Sequence, residues 1–181
     1  MPPIGTVPDF SFTTQEGKTL TRADLLGKVW VADFIFTRCP GPCPVMSSRM
    51  AEISHELRKA NDVRLVSVSI DPTHDTPQVL SEYASHLQAD PSHWIFLTGS
   101  QKEIEDFTTK GMLQALAADP ANPANTVHST RFLVIDRQGQ IRKIRHLEEP
   151  ELVQKLLMDI GSLLRESTSV GAASAATSNT P

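Results

Sequence analysis

Two cysteines stand in the chain, Cys39 and Cys43, separated by three residues and with no other thiol to pair with. They lie in Phe36-Thr37-Arg38-Cys39-Pro40-Gly41-Pro42-Cys43-Pro44. A spacing of i, i+4 is about one helical turn, so the two sulfurs can converge. That arrangement suits either a disulfide or a shared soft metal ion. A structural disulfide across so few residues would close a very short ring and gain little. A zinc site would ordinarily want four ligands, often two cysteine pairs, and only one pair is present. Pro42 or Pro44 fits the first turn of a helix, where a missing N–H costs little, and Gly41 permits a turn. Cys43 therefore falls near a helix N-terminus, whose partial positive charge favours thiolate.

Six histidines offer further ligands: His55, His74, His86, His93, His128 and His146. His55 lies off the apolar stripe of its helix. His86 and His93 read as exposed helix-end and loop residues, and His146 as a solvated residue after the last strand. His74, in Asp71-Pro72-Thr73-His74-Asp75-Thr76-Pro77, could approach the cysteine loop. His128, in Thr126-Val127-His128-Ser129-Thr130, precedes a strand whose leading loop would border the start of the cysteine helix. Two thiolates and an imidazole suit Cu(I), or Cu(II) in a mixed set, which makes His128 the best third ligand.

The elements that must position these groups alternate in type. Phe10–Thr13 and Lys18–Thr21 flank Gln15-Glu16-Gly17 as a small hairpin. Val29–Phe36 reads as a buried strand. Met46, Met50, Ile53 and Leu57 make one stripe of a helix after the cysteines. Val63–Ile70 is a central strand, and Pro77 opens a helix carrying Val79, Leu80, Tyr83 and Leu87. Trp94–Leu97 is a strand and Gln101–Gly111 a helix, and Met112–Thr126 is irregular. Arg131–Ile135 and Gln140–Ile144 flank the turn Asp136-Arg137-Gln138-Gly139. Leu152 to Leu164 marks a last amphipathic helix. Alternation of β and α implies a mostly parallel sheet core with helices on its faces, in the order of a thioredoxin-like α/β fold. With the N-terminal and late hairpins the expected sheet is mixed.

The chain's 181 residues, 39% of them hydrophobic, suffice for one domain with a real core. Residues 1–8 read as an extended N-terminal segment, 9–166 as the domain, and 167–181 as a disordered tail rich in Ser, Thr and Ala. A net charge of −4, with no basic block, argues against nucleic acid as a partner. No apolar run reaches the roughly 18 residues of a membrane span, and no signal peptide is evident. The protein is then either cytoplasmic or lacks a leader or anchor in this chain.

The motifs taken together resemble the Sco/SenC family of copper chaperones for cytochrome oxidase assembly. The resemblance spans about Pro8 to Ser162. It rests on Pro8-Asp9-Phe10, Gly27-Lys28, the run Phe34 through Pro44, Val68 through Pro77, Leu97-Thr98-Gly99 and His128-Ser129. It implies a thioredoxin-like fold that binds one copper through Cys39, Cys43 and His128. It also implies an extracytoplasmic location on an N-terminal anchor, and a copper-receiving oxidase subunit as partner. A thiol reductant protein is a further partner on this reading. Two positions depart from the family pattern. Gly41-Pro42 stands where Asp-Val is common, and Val127 where Asp commonly precedes the histidine, so two carboxylates that would orient ligands are missing. The competing function is a thiol–disulfide oxidoreductase acting on a partner's cysteines, for which the cysteine pair suffices without a distant imidazole. A Thr-x-x-Cys peroxidase motif is matched only one residue short, by Thr37 and Cys39.

Overall fold

The computed structural model describes residues 1–112 and 130–174. The run Val-Trp-Val-Ala-Asp-Phe-Ile forms β4 (Val29–Ile35), buried at every position and central to one eight-stranded sheet. The other strands are β1 (Gly5–Thr6), β2 (Ser11–Thr14), β3 (Thr19–Thr21), β5 (Val63–Ser69), β6 (Trp94–Thr98), β7 (Arg131–Ile135) and β8 (Gln140–His146). Their order is β1-β8-β7-β4-β5-β6-β2-β3. Among the described residues only β4–β5 and β5–β6 are parallel pairs. β7 runs antiparallel to β4, and both hairpins and β1 add antiparallel pairs. The mixed thioredoxin-like sheet is as expected, but the mostly parallel core is corrected to three strands. β7 enters the sheet antiparallel to β4, so β6 and β7 do not form a parallel βαβ unit.

The helices are α1 (Cys43–Glu56), α2 (Pro77–His86), α3 (Gln101–Glu105) and α4 (Leu152–Ser174), with α3 continuing as a wider π-helical segment, Asp106–Met112. Side chains alternate across β4 because a strand has period two. Val29, Val31 and Ile35 face a core shared with Met46, Met50 and Ile53 of α1, Leu80 of α2, and Leu156, Ile160 and Leu163 of α4. Trp30, Ala32 and Phe34 face a second core with Phe12, Ile104, Phe107 and Met112. Cys39 and Cys43 belong to the first face.

Residues 1–8 are extended and tied to the sheet. Gly5 and Thr6 pair with Ile141 and Gln140, the Ile4 amide donates to the Ile141 carbonyl at 2.7 Å, and Val7 is buried. The β8 edge would otherwise leave its backbone groups unpaired. At the other end the backbone stays helical to Ser174, so the boundary at 166/167 falls inside α4. Residues 175–181 lie outside the described residues.

Candidate functional site

The cysteine loop leaves the carboxyl end of β4, where sites gather in open α/β sheets. The Cys39 amide donates to the Phe36 carbonyl at 3.2 Å, closing a turn ahead of the first thiol. Pro42 is the N-cap of α1, and its carbonyl accepts from the Met46 amide at 2.9 Å. Cys43 is thus the first residue of α1 and Pro44 sits in its first turn. The two cysteines form no disulfide here; Cys43 is buried and Cys39 half-buried. Gly41 has no left-handed backbone, and a Cβ there would meet only the Cys39 sulfur, at 3.9 Å. Position 41 is therefore sterically open to a side chain.

The two thiols differ chemically. Burial pushes the Cys43 thiol up to about 12, reinforced by its hydrogen bond to Cys39 and by nearby negative charge at Cys39 and Asp33. Partial burial also pushes Cys39 up. The Cys43 thiol and the amides of Cys43 and Gly41 outweigh it and leave Cys39 below the usual thiol range. The helix N-terminus therefore favours thiolate at the sulfur outside the first turn. The expectation that Cys43 would be the acidic thiol is corrected, because burial dominates there.

Beneath Cys43 lies a buried polar seam. Asp33 is fully buried on β4; its Oδ1 accepts from the Ser67 hydroxyl at 2.6 Å and its Oδ2 has no partner among the described residues. Trp94 Nε1 donates to the same Ser67 hydroxyl at 3.0 Å. Burial pushes the Asp33 carboxyl up to about 7, against the Ser67 hydrogen bond. Tyr83 on α2 and Ser47 on α1 share a hydrogen bond of 2.9 Å across the same face.

Two side-chain clamps tie the cysteine loop to the segment after β5. Arg38 donates through Nε and Nη2 to Asp71 at 3.1 and 2.6 Å. Thr37 donates to buried Asp75 twice, from its hydroxyl to Oδ1 at 2.5 Å and from its amide to Oδ2 at 3.1 Å. His74 does lie beside the loop, with Nδ1 2.9 Å from Asp75 Oδ1 and 3.4 Å from the Thr37 hydroxyl. Asp71, His74 and Asp75 can bring one ligand atom each within 4.8 Å of one another, but their carboxylates are already engaged by Arg38, Thr37 and Ser69.

The structure thus brings Cys39 and Cys43 together; His128 lies outside the described residues. His55 and His86 are exposed as expected. His93 is instead buried at the opposite end of the sheet, just before β6, because its backbone carbonyl pairs with Leu65 and draws it inward. His146 is the last residue of β8, opposite Arg131, rather than beyond the strand. Sequence reasoning assigned no role to Asp33 or Asp75, and weighed Thr37 only for a peroxidase motif. The signal for Asp33 was a carboxylate inside an apolar strand. For Asp75 it was the alternating serines of Val-Ser-Val-Ser, which point hydroxyls to one face.

Residues 3–165 match the SCO1/SenC family. The chain is 35% identical over 158 residues to the SCO1 protein homolog of Bacillus subtilis, covering 86% of this chain and 81% of that protein. BsSco, described as having a disulfide switch and as a member of the Sco family of cytochrome c oxidase assembly proteins, superimposes with a TM-score of 0.74. It is 34% identical, over 90% of this chain and 95% of its own. Yeast Sco1 with copper bound superimposes with a TM-score of 0.68 at 26% identity, over 90% and 95% of the two chains.

Proposed function

The chain belongs to the SCO1/SenC family, and on that premise we propose that it carries one copper ion as cargo on Cys39, Cys43 and His128 and passes it to the copper site of a respiratory oxidase. The observation that carries the reading is the pair of free thiols within hydrogen-bond reach of each other at the mouth of α1. The donor set suits the cargo: two sulfurs are soft ligands, and an imidazole completes a three-donor site without the hard oxygens that Mg²⁺ or Ca²⁺ would need. A metal held by both sulfurs must displace the Cys43 proton, so retention weakens as pH falls. Sulfurs that pass between dithiol and disulfide fit an oxidising, extracytoplasmic setting. Among the described residues no helix is long and apolar enough to cross a membrane.

A second reading is favoured by the inequality of the thiols. An accessible sulfur pushed down beside a buried sulfur pushed up is the arrangement of an attacking and a resolving thiol. On that reading the protein reduces a partner's cysteine pair before metallation, and a thiol reductant protein returns it to the dithiol.

Anaerobic titration of the reduced protein with Cu(I) is expected to saturate at one equivalent; a stoichiometry near zero sinks the cargo reading. His128→Ala separates the two readings. Copper retention against a chelator is expected to collapse, while the rate of reaction with a disulfide reagent stays within several-fold. Unchanged retention would remove His128 from the site and make His74 the next ligand to test.

A further inference from the structure

We propose that Asp75 is the positioning residue of the cysteine loop: it holds Thr37 fixed, two residues before Cys39, and so sets how the two sulfurs meet. The inference rests on Cys39 and Cys43 being the working pair, and goes beyond it by naming what aims them. Asp75 has no exposed surface. Its carboxylate takes the Thr37 hydroxyl on Oδ1 at 2.5 Å, and the Thr37 amide and Ser69 hydroxyl on Oδ2 at 3.1 and 2.7 Å. Ser69 is the last residue of β5 and also accepts from the Asp71 amide at 3.1 Å. The anchor is therefore a strand end, not a loop resting on another loop. His74 covers the outer side, its Nδ1 2.9 Å from Oδ1. The Asp75 amide donates to the Asp71 carbonyl at 2.9 Å, and Thr76 then caps α2, so the carboxylate is fixed from both sides of its own backbone.

The contrast with the neighbouring clamp is informative. Arg38 and Asp71 also join the two loops, but the Arg38 side chain is 58% exposed, and an ion pair in water contributes little. The Thr37–Asp75 pair is shielded, and its donors meet an acceptor that has no competing water, which makes each bond stronger and costlier to lose. Holding Thr37 restricts the backbone that leads to Cys39. Cys43 is already fixed by α1 and burial, so the freedom of Cys39 decides the effective concentration of one sulfur near the other.

The test reads the dithiol–disulfide equilibrium of the metal-free protein against reduced and oxidised dithiothreitol, which exchanges the two electrons. Thr37→Val removes one hydrogen bond at nearly constant shape. It is expected to lower the equilibrium constant for disulfide formation roughly tenfold, the scale of one lost hydrogen bond to a charged group. Thr37→Ser, which restores the hydroxyl, is expected within about twofold of the parent on the same reasoning. Asp75→Asn, which turns an NH₂ toward at least one donor, should fall at least as far as Thr37→Val. If it fails to fold, the valine and serine variants decide alone. Arg38→Ala is expected within about twofold. A melting temperature that falls while the equilibrium constant stays put would overturn the proposal, because Asp75 would then hold the fold and not the loop. So would an equal loss in Arg38→Ala. No copper enters the measurement, so failure of the cargo reading shows only in the Cu(I) titration.

Discussion

At the scale of single residues, the site is governed by what surrounds each charge and not by residue type. Cys39 and Cys43 are identical in sequence and opposite in behaviour, because one faces amide donors and the other an apolar core with Asp33 behind it. The pair was legible from its spacing, and its inequality was not, since burial at Cys43 depends on helices distant in sequence. Asp33 was visible only as an interruption of an apolar strand. Its carboxyl lies near 7 in the folded protein, against 3.8 ordinarily, because burial disfavours the charge. The folded state therefore holds a proton that the unfolded chain has released. The contribution of Asp33 to stability is full below about pH 4 and declines until about pH 7, by a few kcal/mol. Asp33→Asn is expected to remove that decline. Urea midpoints for the two proteins should converge near pH 4.5, with the variant the more stable at pH 8; parallel curves would show that Asp33 does not titrate between them.

At the scale of elements, the periodic segments and the two hairpin pairings were legible, and the long-range pairings were not. Val29–Ile35, Val63–Ser69 and Trp94–Thr98 form strands where β-branched and aromatic residues cluster, within a residue or so of their expected ends. The N-terminal hairpin was plain from Gln15-Glu16-Gly17, with Gly17 in the left-handed turn conformation at φ 75°. Nothing local said that β2 would pair with β6, since that register, Thr13 against Thr98, joins residues far apart in the chain. Helix α2 shows how an element boundary serves the site. Thr76 caps it by accepting from the Val79 amide at 3.3 Å, directly after Asp75. Thr76→Ala is expected to cost about 1 kcal/mol of unfolding free energy, and Thr76→Ser a few tenths. Equal losses in chemical denaturation would mean that the threonine methyl, and not the cap, supplies the stability.

At the scale of the whole molecule, one sheet with a core on each face carries its chemistry at the carboxyl ends of the parallel strands. The family reading was legible because its motifs fall on those ends: the cysteine run after β4 and the Asp-Pro run after β5. A ligand that binds only the folded state must raise stability by mass action. Cu(I) at about a thousand times its dissociation constant is worth about 4 kcal/mol. The reduced protein is therefore expected to melt several degrees higher with one equivalent of Cu(I), and an unmoved transition would argue against tight binding. The sheet is bounded by its two shortest strands, β1 of two residues and β3 of three. Behind them lie strands such as Val-Trp-Val-Ala-Asp-Phe-Ile, whose β-branched and aromatic content is the composition of fibril-forming segments. The short, polar edges offer almost no template for a second copy to extend. The tie of β1 to β8 thus does more than complete a sheet: two backbone registers, at Gly5 and Thr6, cap the first residues of the β8 edge that would otherwise stand open to pairing.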